Sequence, residues 1–122
     1  MTILDAIHLI DTLKPNTYSQ VQKINWLSTL DGIVKREIID THEGGEDVSY
    51  EPYTENNITA NLLIPAPYDD VYIRWLEAQI DYTNGEYTKY QNSMTMYNSA
   101  YSAYERYYNR THMPLGTKLR FS

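Results

Sequence analysis

Apolar residues recur at helical intervals along most of the chain. Ile3, Ile7 and Ile10 fall on one face, with Leu4 and Ala6 beside them, and predict a helix over 2–13. Thr2 is placed to cap it, Asp5 sits in its first turn where the helix dipole favours an acid, and Pro15 ends it. A second helix is expected to open at Thr17, with Thr17 and Gln20 as a capping box. Its stripe is Val21, Ile24, Leu27, Leu30, Val34 and Ile38, and Trp26 and Ile33 begin a second one. The pattern stops near Thr41 to Gly44.

Residues 42–67 lose this period. Gly44-Gly45, Pro52 and Asn56-Asn57 punctuate a long loop in which 48–53 and 60–64 are candidate strands of one short hairpin. Pro65-Ala66-Pro67 closes it. The helical period then returns. Ile73, Leu76, Ile80, Thr83, Tyr87, Tyr90, Met94, Tyr97, Tyr101, Tyr104 and Tyr108 follow alternating steps of three and four, a heptad-like packing seam in which Thr83 is the weak member. Asn84-Gly85 interrupts it with a turn signal. The unbroken register favours one long helix over 68–110, kinked at the glycine; a hairpin of two helices is the alternative. Trp75, Ala78, Gln79 and Tyr82 lie off the seam as a second contact surface. Pro114 and Gly116 stop the helix, and in the tail Lys118 and Arg120 alternate with Leu119 and Phe121.

The expected fold is therefore all-α. A small helical bundle, residues 1–110, holds one long acidic loop (42–67) and is followed by an extended tail, 111–122. Length agrees, since 122 residues make one domain. Charge divides the chain unevenly. The net charge is −6, with 10 acids against 4 bases in 1–67, 6 against 4 in 68–110, and two bases and no acid in the tail. From Asp40 to Asn57 there are six acids and no Lys or Arg. Such a balance argues against a general phosphate-coating nucleic-acid binder. Asp5 and Asp11 interrupt any secretory signal, and no run approaches the ~20 apolar residues that span a bilayer.

Chemistry is sparse. Without cysteine there is no disulfide, thiolate ligand or thiol nucleophile. His8, His42 and His112 are far apart, and none lies in a metal-helix spacing. The cluster from His42 to Asp47 reads more simply as a solvated loop after a helix end. Asp69-Asp70 suits a helix N-terminus. No phosphate-binding glycine loop, dinucleotide fingerprint or nucleophile motif occurs. The tyrosine seam lacks the basic groove of a single-strand-binding platform and reads as core or interface. No catalytic residue, metal ligand or cofactor is expected, and the reading is of a non-enzyme.

Several stretches carry a family resemblance. They are Leu13 to Thr17, Lys35 to His42, Pro65 to Asp81, Asn84-Gly85-Glu86-Tyr87, and Tyr97 to Pro114 with its Tyr107-Tyr108-Asn109-Arg110. Across most of its length the chain resembles head–tail connector (adaptor) proteins of tailed phages and prophages of Gram-positive bacteria. The resemblance implies a ring of copies of itself, twelve in the family, beneath the portal protein. Such a ring extends the DNA channel without binding DNA specifically and meets the next connector or tail protein. It implies a virion location at the head–tail interface, assembly in the host cytoplasm, and no membrane partner. It places portal docking on the tail, so Lys118, Leu119, Arg120 and Phe121 are the expected docking residues. Glu46, Asp47, Tyr50 and Tyr53 of the acidic loop are the expected inter-subunit or downstream contacts. The alternative is a small prophage-encoded helical adaptor or regulator that binds another protein.

Overall fold

The computed structural model describes residues 1–116, which form four helices and no strand. These are α1 (Ile3–Leu13), α2 (Gln20–Val34), α3 (Asp70–Thr83) and α4 (Tyr87–Thr111). The fold is an all-α helical bundle, as the periodicity predicts. A π-helical turn, Lys35–Ile39, prolongs α2, and short 3-10 turns lie at Gly45–Asp47 and Glu55–Asn57. Side-chain contacts fix the directions. Asp11 at the end of α1 meets Lys23 at the start of α2 at 2.6 Å, Lys14 just past α1 meets Asp81 near the end of α3 at 2.5 Å, and the Tyr68 ring just before α3 lies 4.9 Å from that of Tyr107 near the end of α4. The chain thus runs up, down, up and down, with α3 packed on the other three helices. Fully buried Ile3, Ile10, Leu27, Leu30, Tyr72, Leu76 and Ile80 anchor the core.

The start of α1 is capped twice over. The Thr2 hydroxyl accepts from Asp5 N and the Asp5 carboxylate accepts from Thr2 N, each at 3.0 Å. Ile3 N and Leu4 N, two donors a helix start leaves open, reach Ala60 O at 3.0 Å and Ile58 O at 2.9 Å. At the other end Lys14 meets the buried Asp81 carboxylate at 2.5 Å, and Ser93 of α4 donates to the same group at 2.6 Å. Asp81 therefore ties three helices together.

Three expectations are corrected. First, α2 is capped by Ser19, which accepts from Gln22 N at 3.1 Å, and not by Thr17. The Asn16 side chain takes Tyr18 N at 3.1 Å, holding the chain in a turn two residues longer. Second, 48–53 and 60–64 do not form a hairpin. Their backbone groups find partners elsewhere: Tyr53 N on Ser28 Oγ, Leu63 N on Asp31, Ile64 N on Tyr72 Oη, and Leu62 N on Met1 O. The only extended pairings among the described residues are single bridges, Thr2 with Asn61 and His42 with Pro114. Third, 68–110 is a hairpin and not one long helix. Gly85 has φ +76°, a left-handed conformation that ends α3 as glycine does at a C-cap, and α4 returns along α3.

The seam is shared between the two arms of that hairpin. Ile73, Leu76 and Ile80 are buried on α3, and Tyr97, Tyr104 and Tyr108 on α4. Tyr90, Met94 and Tyr101 are half-buried. Tyr87, in the first turn of α4, is 60% exposed and leans edge-on against Tyr82, itself off the seam. Desolvation raises the hydroxyl pKa of Tyr97, Tyr104 and Tyr108, and lifts that of Tyr101 to about 12 with help from the nearby Glu37 and Glu105 carboxylates.

Candidate docking surfaces

The acidic loop is held by its tyrosines. Tyr53 is buried, and its hydroxyl donates to Asp31 Oδ2. The Tyr72 hydroxyl donates to Asp31 Oδ1 at 2.6 Å, and Leu63 N donates to Oδ2 at 3.0 Å. The Tyr50 hydroxyl donates to Ser28 O at 2.5 Å and meets Ser28 Oγ at 2.7 Å. Burial raises the Asp31 carboxyl pKa above the ordinary value, and these hydrogen bonds oppose that shift without cancelling it. Desolvation and the adjacent Asp31 push the Tyr53 and Tyr72 hydroxyls well above their usual range.

Of the four loop residues singled out from the sequence, Tyr50 and Tyr53 therefore face α2, and only Glu46 and Asp47 stand in solvent. Glu43, Glu51 and Glu55 are also exposed, so the loop shows water an acidic surface. Lys35 reaches back to Asp40 and donates to Gly45 O at 2.7 Å, fixing the loop's entry below the π turn.

The C-terminal exit is equally fixed. His42 is 4% exposed. Its Nδ1 donates to Ile38 O at 2.5 Å, and its Nε2 meets the Asn109 amide at 2.7 Å. Its ring stands edge-on to Tyr108, centroids 4.9 Å apart. Beside it, Glu43 N donates to Met113 O at 2.9 Å and Leu115 N to Thr41 O at 3.0 Å. The chain therefore stays pinned through Leu115. Lys118, Leu119, Arg120 and Phe121 lie outside the described residues.

A further surface lies between α1 and α3. Leu9 and Leu13 of α1 and Ile73 of α3 line an open groove of about 530 Å³, with Asp69, Asp70 and Glu77 beside Ile73 and the Met1 amine 4.0 Å from Asp69. Arg74, also in the groove, pairs with Glu77 at 3.3 Å. The sequence reading passed over this surface. Its signal was two large aliphatics, Leu9 and Leu13, off the Ile3–Ile7–Ile10 stripe.

Among the described residues, no group of three or more histidines and carboxylates is placed to hold a metal ion. His42 is engaged on both ring nitrogens, and His112 stacks on Tyr108 at 3.8 Å. No helix of the described residues is long and apolar enough to cross a membrane. No family model matches the chain, and no curated protein or solved structure matches it.

Proposed function

We propose that the protein is a structural head–tail connector of a tailed phage, a ring beneath the portal that prolongs the DNA channel and joins head to tail. One observation carries the structural side of this reading. The bundle immobilises an acidic loop on one segment and pins the chain up to Leu115, so the basic tail starts from a fixed point. A part that joins two assemblies needs fixed surfaces of different character, because a ring is built from unlike faces meeting around a circle. Exposed loop acids facing a channel would repel phosphate and let DNA pass. The family resemblance across most of the chain supports the same assignment. In this reading the protein has no catalytic residues and needs no cofactor.

Deletion of 117–122 tests it. Leu115 keeps its bond to Thr41, so far-UV circular dichroism should be unchanged. Binding to the portal protein encoded alongside it should be lost, together with rings on portal seen by negative-stain microscopy. Full portal binding by the shortened chain would sink tail docking. A full-length chain that forms a stable small oligomer and never decorates portal would favour the adaptor alternative.

A further inference from the structure

Asn84-Gly85 is the one Asn-Gly pair in the chain. The fold needs it where it stands. Gly85 has φ +76°, where a side chain is costly, and it sits in the turn that folds α4 back along α3. The same glycine exposes its neighbour to chemistry. An asparagine carboxamide is an electrophile, and the next backbone nitrogen is a nucleophile within reach of it. Gly85 has no side chain to crowd that approach. Both residues are exposed, so water reaches them.

The folded turn withholds the attack. Asn84 has ψ −8°, which nearly eclipses the Gly85 nitrogen with Asn84's own nitrogen and turns it away from the Asn84 side chain, so a cyclic imide cannot close. Gly85 N donates to Tyr82 O at 3.0 Å and Glu86 N to Asp81 O at 2.9 Å, which hold that rotation. The carboxamide is gripped at both ends. The Tyr18 hydroxyl donates to Asn84 Oδ1, and Asn84 Nδ2 donates to Glu86 Oε1 at 3.3 Å. Tyr18 reaches the turn from the connection between α1 and α2, where its ring stands edge-on to Trp26 at 5.7 Å. Donation to Oδ1 also polarises the carbonyl, but with the nitrogen turned away the polarisation has no nucleophile to serve.

We infer that Asn84 is a site of spontaneous deamidation and that the Tyr18 hydroxyl is the latch that sets its rate. When the turn opens, the Gly85 nitrogen attacks Asn84 Cγ. The new N–C bond forms, the bond from Cγ to Nδ2 breaks, and Nδ2 leaves as ammonia with the proton the Gly85 amide has given up. Water then opens the imide. Cleavage at Cγ leaves an aspartate, and cleavage at the main-chain carbonyl leaves an isoaspartate. The isoaspartate lengthens the main chain by a carbon inside the turn at 84–86. The Gly85–Tyr82 and Glu86–Asp81 bonds cannot both survive that, so the tip of the hairpin loosens. None of this depends on portal or on a ring.

Timed incubation of the full-length chain in mildly alkaline buffer tests it. Peptide mass spectrometry reads the deamidated fraction at each asparagine, an isoaspartyl methyltransferase assay counts isoaspartate, and the same chain in urea gives the unlatched rate. The folded chain should be modified first at Asn84, well below the urea rate. Asn92 and Asn98 precede serines but lie inside α4, whose backbone bonds hold the attacking nitrogens. Tyr18→Phe keeps the ring and removes the donor. It should speed the loss at Asn84 about fivefold, the worth of one hydrogen bond, and leave the urea rate unchanged. Amide exchange at Leu27 and Leu30 should match the parent, which separates a freed turn from a loosened core. If Tyr18→Phe disturbs that exchange, Glu86→Ala frees the other end of the carboxamide and should also speed the loss. A folded Tyr18→Phe modified no faster than the parent, a folded parent modified at the urea rate, or a parent modified first at another asparagine would each overturn the inference.

Discussion

The Tyr72 hydroxyl stands between Asp31 and the backbone of Ile64. It donates to the Asp31 carboxylate at 2.6 Å and accepts from Ile64 N at 2.7 Å, with Asp31, Tyr72 and Ile64 each 0% exposed. One oxygen thus joins α2, α3 and the end of the long loop. Tyr72→Phe keeps the ring but leaves the Ile64 amide unpaired and one Asp31 lone pair empty. The expected cost is about 2–3 kcal/mol of unfolding free energy in urea. Amide exchange at 62–64 should quicken, while α1 and α4 keep their protection.

Asp31 also gives a pH dependence of known sign. Its pKa in the folded chain is raised, chiefly by burial, above the model-peptide value of 3.8. The folded state therefore favours the protonated form. That contribution is full below the unfolded pKa and is lost as pH rises through the folded one. Asp31→Asn does not titrate, so its cost relative to the parent chain should be larger near pH ~3.5 than near pH ~7. Urea unfolding of both chains at the two pH values checks this; a cost that grows with pH would contradict it.

Two glycines should respond differently to alanine. At Gly85 (φ +76°) an added Cβ meets nothing within 4 Å, so Gly85→Ala carries only the left-handed backbone penalty, about 1–2 kcal/mol. At Gly45 the added Cβ would run into the Ile39 carbonyl and the Asp40 Cα, both backbone. Gly45→Ala must therefore move the loop's entry. It should cost more than Gly85→Ala in thermal unfolding and should raise protease sensitivity across 43–50.

His42 holds the chain's exit. His42→Leu removes the hydrogen bonds to Ile38 O and to Asn109 at a site 4% exposed. The expected loss is about 2 kcal/mol. Limited proteolysis should shift to the peptide bonds around 112–116, with the core fragment surviving longer than the released end.

The helical stripes and the all-α class were legible because burial on one face imposes a period, and Ile24, Leu27, Leu30, Val34 and Ile38 all meet the core. The hairpin was misread for a physical reason. Two helices facing each other each carry a stripe, and the three-residue turn at 84–86 keeps the stripes in phase. A shared period is therefore no evidence of continuity, and the turn chemistry of Asn84-Gly85 was the better guide. The loop was harder. Its partners, Ser28, Asp31 and Tyr72, are polar residues on helices. Helical periodicity marks such residues as interruptions or as core, and says nothing of a backbone hydrogen-bonded to them. Asp31, an acid beside Leu30 on the α2 stripe, was the one visible trace. The loop tyrosines were legible as important and misassigned in direction: Tyr53 is spent inside the fold and Tyr50 on α2.

The pairing of Met113–Leu115 with Thr41–Glu43 has a mechanical consequence. A pull on the chain beyond Gly116 does not reach α4 alone. It loads the Leu115–Thr41 and Met113–Glu43 bonds first, and through them the end of α2 with its π turn. Force on the tail is thus divided between two helices that are far apart in sequence, and the last turn of α4 is shielded from being drawn out on its own.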